Sequence, residues 1–176
     1  MTGGANFSAS TLTLGMNDIT NSPNNFATAF DRAASRLRAA VTAACDSAEP
    51  GPAGVAAAIA ATLDFAAADP AAARMLVIEP WAQGEGGTAR HGGLVEHFAE
   101  LLGVSCRRPG GERQPPPLTE QLMVGAVTGV LTEHLLDGRT AVLPSLAPEL
   151  AELVLLPYVG AAPAKVWGQQ LRRQRT

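Results

Sequence analysis

Apolar residues recur at helical spacing along most of this chain, and they first do so clearly after residue 22. Four of them share one face of the first segment: Phe26, Phe30, Leu37 and Val41. Ser22 and Pro23 precede this face and suit the N-cap and the first position of a helix. Because residues spaced by three or four lie on the same side of a helix, the pattern predicts a helix from about residue 23 to Asp46. The Pro- and Gly-rich stretch 49–52 ends it.

Five further segments show the same helical pattern, separated by residues that break helices. They are 55–67, a segment from Pro70 to the residue before Pro80, about 89–102, 118–136, and a last one that starts at Ser145 and is disturbed by Pro157. Stretches at 84–87 and 103–117 predict breaks between them. The segment 118–136 is apolar nearly all round, so both of its sides should be buried. The sequence therefore predicts an all-α bundle of about six main helices.

Composition agrees with a helical domain and narrows its class. Hydrophobic residues make up 47% of the chain, charged residues 16% and aromatics 5%, which argues against a disordered chain and against a sheet protein. No apolar run reaches the ~18 to 20 residues that span a bilayer, and the first 25 residues lack the features of a secretory signal. Two distant cysteines, Cys45 and Cys106, indicate reduced thiols in a cytoplasmic protein. A net charge of -3 argues against the whole chain binding nucleic acid.

Three segments of the chain resemble consecutive parts of TetR-type transcriptional regulators. Residues 26–33 (FATAFDRA) are similar to the start of the helix that follows the DNA-binding head of these proteins. Residues 63–74 (LDFAAADPAAAR) resemble their helix, Asp-Pro turn and helix, and residues 143–150 (LPSLAPEL) resemble the start of their last helix. The resemblance covers most of residues 22–160. It implies that residues 23–160 form the ligand-binding and dimerisation domain. The residues that follow, 161–176, carry Lys165, Arg172, Arg173 and Arg175, and this composition predicts a solvated basic tail, with a functional basic patch as the alternative.

The front of the chain departs from this family. A three-helix head of ~45 to 50 residues with a helix-turn-helix precedes the linking helix in the family. Here only about 22 residues do, and 1–22 therefore suggest an irregular remnant of that head. No basic residue precedes Arg32, so the phosphate contacts that supply most DNA affinity are missing. We expect DNA binding only through a longer chain or a full-length partner.

The resemblance also implies a ligand pocket among the second to fifth helices. Its candidate residues are Phe65, Met75, Trp81, Phe98 and Met123, with Glu79 and His91 as polar groups that orient the ligand. Flat or flexible apolar side chains suit a small apolar effector. Each of the five apolar residues, taken singly, is more simply explained as part of a hydrophobic core. His91 fits equally well as a core histidine or as a ligand contact.

A homodimer is the second implication of the resemblance, because the family dimerises through a four-helix bundle of its last two main helices. Those helices correspond to 118–136 and 146–157. The candidate interface residues are Leu118, Leu122, Gly125, Gly129, Leu146, Leu150, Leu153 and Val154. Gly125 and Gly129 would let a partner helix approach closely. The alternative is ordinary packing within one chain.

No pattern of metal ligands or catalytic residues can be assembled from the sequence. His91, His97 and His134 are not spaced by three or four residues, and no nucleophile elbow or phosphate-binding glycine loop is present. We therefore expect no metal, no cofactor and no enzymatic activity. Besides a ligand-sensing, dimerising regulatory domain, three readings remain open: a truncated interaction protein that forms heterodimers with a full-length regulator, a small helical small-molecule-binding protein, and a gene fragment or misassigned start codon.

Overall fold

Helices make up every regular element of residues 23–107 and 115–174, which are the residues that this computed structural model describes. The α-helices are α1 (Pro23–Asp46), α2 (Pro52–Ala68), α3 (Pro70–Val77), α4 (Gly84–Cys106), α5 (Thr119–Leu136), α6 (Ala147–Val159) and α7 (Ala161–Gln174). Two 3-10 helices, Glu79–Gln83 and Thr140–Leu146, precede α4 and α6. The all-α prediction is confirmed. The predicted remnant of a head, residues 1–22, lies outside the described residues.

Asp69 both ends α2 and begins α3. Its backbone N–H donates to the Phe65 carbonyl, while its carboxylate accepts a hydrogen bond from the Ala72 N–H at 3.0 Å. Pro70 then occupies the first position of α3, and the two helices meet at 112°. Arg36 of α1 donates to the other carboxylate oxygen at 2.6 Å. Side-chain capping is the reason that a helix boundary could be predicted here.

The core lies around α2, which contacts α1, α6, α7 and the second 3-10 helix. Leu63 of α2 is fully buried, as are Leu143 of the second 3-10 helix and Leu155 of α6. α4 and α5 pack against each other, and α5 also contacts α3. Alanine side chains at 56, 60 and 66 keep α2 thin enough for close packing on several sides.

Two predicted boundaries differ from the structure around α4. Residues 84–87 form the first turn of this helix rather than a break, because the chain turns at Gly84 with φ +63° and then packs onto the 3-10 helix before it. At its other end α4 continues to Cys106, beyond the predicted end at Leu102. Only residues 103–107 and 115–117 of the predicted break 103–117 are described.

Residues 161–174 form a helix and not the solvated basic tail that the sequence predicted. Ala164, Gly168 and Leu171 of α7 are buried, and α6 is their main neighbour. A Cβ at Gly168 would lie 2.9 Å from the Pro148 carbonyl oxygen, so only glycine permits this approach. α7 is therefore part of the folded domain.

The segment Thr140–Val159 is the one stretch of the described residues whose length of 20 residues and mean hydropathy of 1.4 are those of a candidate membrane span. It is not a continuous apolar run, because Thr140, Ser145, Glu149 and Glu152 interrupt it. In addition, 44% of this window is buried inside the protein. Leu143, Ala147 and Leu155 are completely covered by other residues. Core packing thus accounts for its apolar composition.

Candidate functional site

A cavity of about 350 Å³ lies among α1, α2, α3, α4 and α5. This volume falls within the range of small-molecule sites in proteins. Most of its wall is apolar, with Val41, Ile59, Leu94 and Val127 as representative side chains from four of the helices. The cavity is therefore suited to a molecule that is largely hydrophobic.

Four of the seven predicted ligand-binding residues lie on the cavity wall. They are Phe65, His91, Phe98 and Met123, which come from α2, α4 and α5. Their convergence could not be read from helical periodicity alone, because each pattern is equally compatible with a filled core.

Met75, Glu79 and Trp81 do not line the cavity, so their assignment to its wall is corrected. Ala73, Leu76 and Val77 are the α3 residues that line it, and Met75 points to a different side of the same helix. Trp81 is 65% exposed, and its indole N–H donates to the Val77 carbonyl at 3.2 Å.

The position of His91 is defined by two contacts. Nδ1 lies 2.9 Å from the Leu76 carbonyl oxygen, and because a carbonyl only accepts, Nδ1 carries the proton. The Trp81 ring lies against the imidazole, with 5.6 Å between the ring centroids. Among the described residues, Nε2 has no hydrogen-bond partner. In the neutral ring this nitrogen is an acceptor.

Three further polar groups of the wall were not predicted. The hydroxyls of Thr62 and Thr128 donate to the carbonyls of Ala58 and Val124 at 2.8 and 2.9 Å. The Cys45 thiol lies 3.6 Å from the Gly54 carbonyl, to which it donates. Burial, and then the nearby Asp46 carboxylate, raise the pKa of Cys45, so it stays a neutral thiol. Thr62 lies three residues from both Ile59 and Phe65, a spacing that could have revealed it.

The cavity meets solvent at three exposed polar residues, Thr42, Asp46 and Ser105. Asp46 is the only Asp, Glu, Lys or Arg side chain on the wall among the residues that the structure describes. The mouth is therefore slightly acidic, and the interior holds no acidic side chain, lysine or arginine.

An exposed apolar face runs along α5 and α6, where the dimer was predicted. Leu118, Leu122 and Leu153 are 64%, 66% and 58% exposed. Gly125 and Gly129 are also exposed, and a Cβ built on either would meet nothing within 4 Å. We call this set of five residues the α5–α6 face.

The other three predicted interface residues lie elsewhere. Leu150 and Val154 are 7% and 4% exposed, so they are core residues that a partner chain cannot reach, and Val154 also lines the cavity. Leu146 is half-buried and packs against the core. Within α6, only the side that carries Leu153 remains available.

A polar cluster joins the ends of α4, α5 and α6. Arg107 donates to both carboxylate oxygens of Glu120, at 2.6 and 2.9 Å, and the Tyr158 hydroxyl donates to the same carboxylate at 3.0 Å. The hydrogen bond from Arg107 is the main cause that lowers the pKa of Glu120. Burial, more than the Glu120 carboxylate, raises the pKa of Tyr158. The cluster links residue 107 to the start of α5.

No family model, curated protein or solved structure matches the chain. Within residues 23–107 and 115–174 no three His, Cys, Asp or Glu side chains are grouped as a metal site would require. Functional assignment therefore depends on the geometry of the cavity and of the α5–α6 face.

Proposed function

We propose that this chain is a ligand-sensing and dimerising regulatory domain of the TetR type, whose effector is a small apolar molecule. The observation that carries the proposal is the apolar cavity of about 350 Å³ in the body of the domain. A mostly apolar cavity of this size can bury most of the surface of a small hydrophobic molecule, as ligand sites in proteins do.

The α5–α6 face supports the second half of the proposal. Leu118 and Leu122 lie with Gly125 and Gly129 at helical spacing along α5 and its N-cap, Leu153 lies on the neighbouring α6, and each of the three leucines is more than half exposed. Burial of such a face against a second copy removes apolar surface from water, and the glycines permit close contact of the helix backbones. A homodimer is the proposed occupant.

α5 offers a physical route between the two features. Met123, Val127 and Leu131 of this helix line the cavity, while Leu122 and Gly129 lie on the α5–α6 face. A ligand that displaces α5 would alter the geometry of the dimer. Such coupling requires that the ligand bind the two arrangements with different affinity.

Ligand binding is tested with hexylbenzene as the probe, using isothermal titration calorimetry. We expect saturable binding with one probe per chain. Val127→Phe replaces a small side chain of the wall by an aromatic ring that fills part of the cavity, so it should abolish probe binding. Thermal stability should be kept, because the cavity has room for the ring. Val166→Phe is the matched control, since Val166 is 50% exposed on α7. Absence of binding to the unmodified chain would contradict the proposal.

Dimerisation is tested by sedimentation equilibrium of the full chain. Gly125→Leu should produce monomers, because the added side chain prevents close approach of the partner helix. Gly92→Leu is the matched control, because Gly92 is equally open but lies on α4. A monomeric unmodified chain, or a dimer that survives Gly125→Leu, would refute the α5–α6 face as the interface.

A further inference from the structure

The polar atoms of the cavity interior share one property: their protons are already engaged in hydrogen bonds within the protein. The hydroxyls of Thr62 and Thr128 both donate to the carbonyl four residues earlier in their own helix. Cys45 donates to Gly54, and Nδ1 of His91 donates to Leu76. What remains for a ligand is therefore the lone pairs of the two threonine oxygens and of Nε2.

The charged residues around the cavity also limit which ligand it can bind. No Lys or Arg lines the wall in the part of the chain that the structure describes, and its one carboxylate, Asp46, lies at the mouth. A carboxylate or phosphate ligand would lose its hydration without a Lys or Arg side chain on the wall to pair with, which is costly in an apolar space. The cavity therefore opposes anions.

We infer that the cavity selects an apolar molecule that carries a hydrogen-bond donor, such as a hydroxyl group, and that it rejects apolar anions of the same size. This inference rests on the proposed ligand-binding function. His91, Thr62 and Thr128 come from three different helices, so a donor placed in the cavity can reach one of them from several orientations.

Four probes of similar shape separate this inference from the proposed function: hexylbenzene, para-hexylphenol, para-hexylanisole and para-hexylbenzoate. The phenol carries a donor, the methyl ether lacks it, and the benzoate is an anion. We expect the phenol to bind roughly fivefold more tightly than the ether, the typical net effect of one hydrogen bond. The benzoate should bind at least about tenfold more weakly than the phenol.

Variants of the wall identify the cause of the preference. In the combined variant with His91→Phe, Thr62→Val and Thr128→Val, the phenol and the ether should bind with equal affinity. Thr132→Val is the matched control, because Thr132 makes the same type of bond to Thr128 at 2.8 Å but does not line the cavity. Should the combined variant not fold, each single variant is measured, and the preference must fall in at least one.

The outcomes are distinct. If none of the four probes binds, the proposed function fails. If hexylbenzene binds but the phenol has no advantage over the ether, only the inference about donors is overturned. The inference is also overturned if the benzoate binds most tightly of the four probes. It is overturned as well if the preference for the phenol over the ether persists in the combined variant, or in all three single variants where the combined variant does not fold.

Discussion

Gly87 determines how closely α4 approaches the 3-10 helix before it, and we predict that Gly87→Ala destabilises the protein. A Cβ at this position would lie 2.2 Å from the Pro80 carbonyl oxygen and 2.7 Å from Cβ of Gln83. Because real Cβ contacts essentially never fall below 3.0 Å, the two elements must separate by roughly 0.8 Å. Overpacking costs about 1–3 kcal/mol, and contact with backbone atoms places this case in the upper part of that range.

Alanine also favours a helix over glycine by about 1 kcal/mol, which offsets part of the cost. The expected net loss is roughly 1–2 kcal/mol, equivalent to a decrease in Tm of about 2–8 °C for a chain of this size. The matched control is Gly92→Ala in the same helix, where a Cβ meets nothing within 4 Å. It should stabilise the protein by up to about 1 kcal/mol. Thermal unfolding followed by circular dichroism measures both.

The same substitution should also affect the cavity. His91 lies about one turn after Gly87 and is held by the Leu76 carbonyl at 2.9 Å. Displacement of this turn of α4 would lengthen that hydrogen bond, so Gly87→Ala should weaken hexylbenzene binding more than Gly92→Ala does. If Gly87→Ala leaves Tm at or above that of Gly92→Ala, the close approach of α4 to Pro80 is refuted.

Three further measurements test other parts of the structure. Because the pKa of Glu120 is lowered, its interactions stabilise the fold above pH 4.5, the ordinary value, and this stability is lost as the pH falls through the lowered pKa. Glu120→Gln should therefore lower the urea midpoint at neutral pH, and the difference in midpoint between variant and unmodified protein should narrow in acid. Leu171→Ala should cost about 2–5 kcal/mol in urea unfolding, since Leu171 is buried, whereas Val166→Ala on the exposed side of α7 should change stability by less than about 0.5 kcal/mol; equal effects would contradict the docking of α7. Burial and the Glu120 carboxylate raise the pKa of Cys106 to about 12, so a thiol reagent should label Cys45 first, and only Cys45 should be protected by hexylbenzene.

Interactions between residues close in sequence specify the bounds of most helices of this protein. Periodic apolar residues, the Pro70 start and the Asp69 cap specify elements through interactions within a few residues, so α1, α3 and α5 could be predicted close to their observed bounds. α7 was missed because its few buried residues are separated by charged and polar ones, and their burial depends on α6. That contact is absent from the local sequence.

The cavity and the α5–α6 face depended on tertiary structure to different degrees. Phe65, His91, Phe98 and Met123 were predicted as lining residues, yet only the packing of three helices places them around one space. The same packing buries Leu150 and Val154 and leaves Leu153 exposed, although all three belong to one apolar stretch. The sequence by itself determined which residues are apolar and which helices carry them. Which apolar residues face the core, the cavity or solvent was decided by the relative rotation of neighbouring helices, because rotation by a single residue turns a side chain through about 100°.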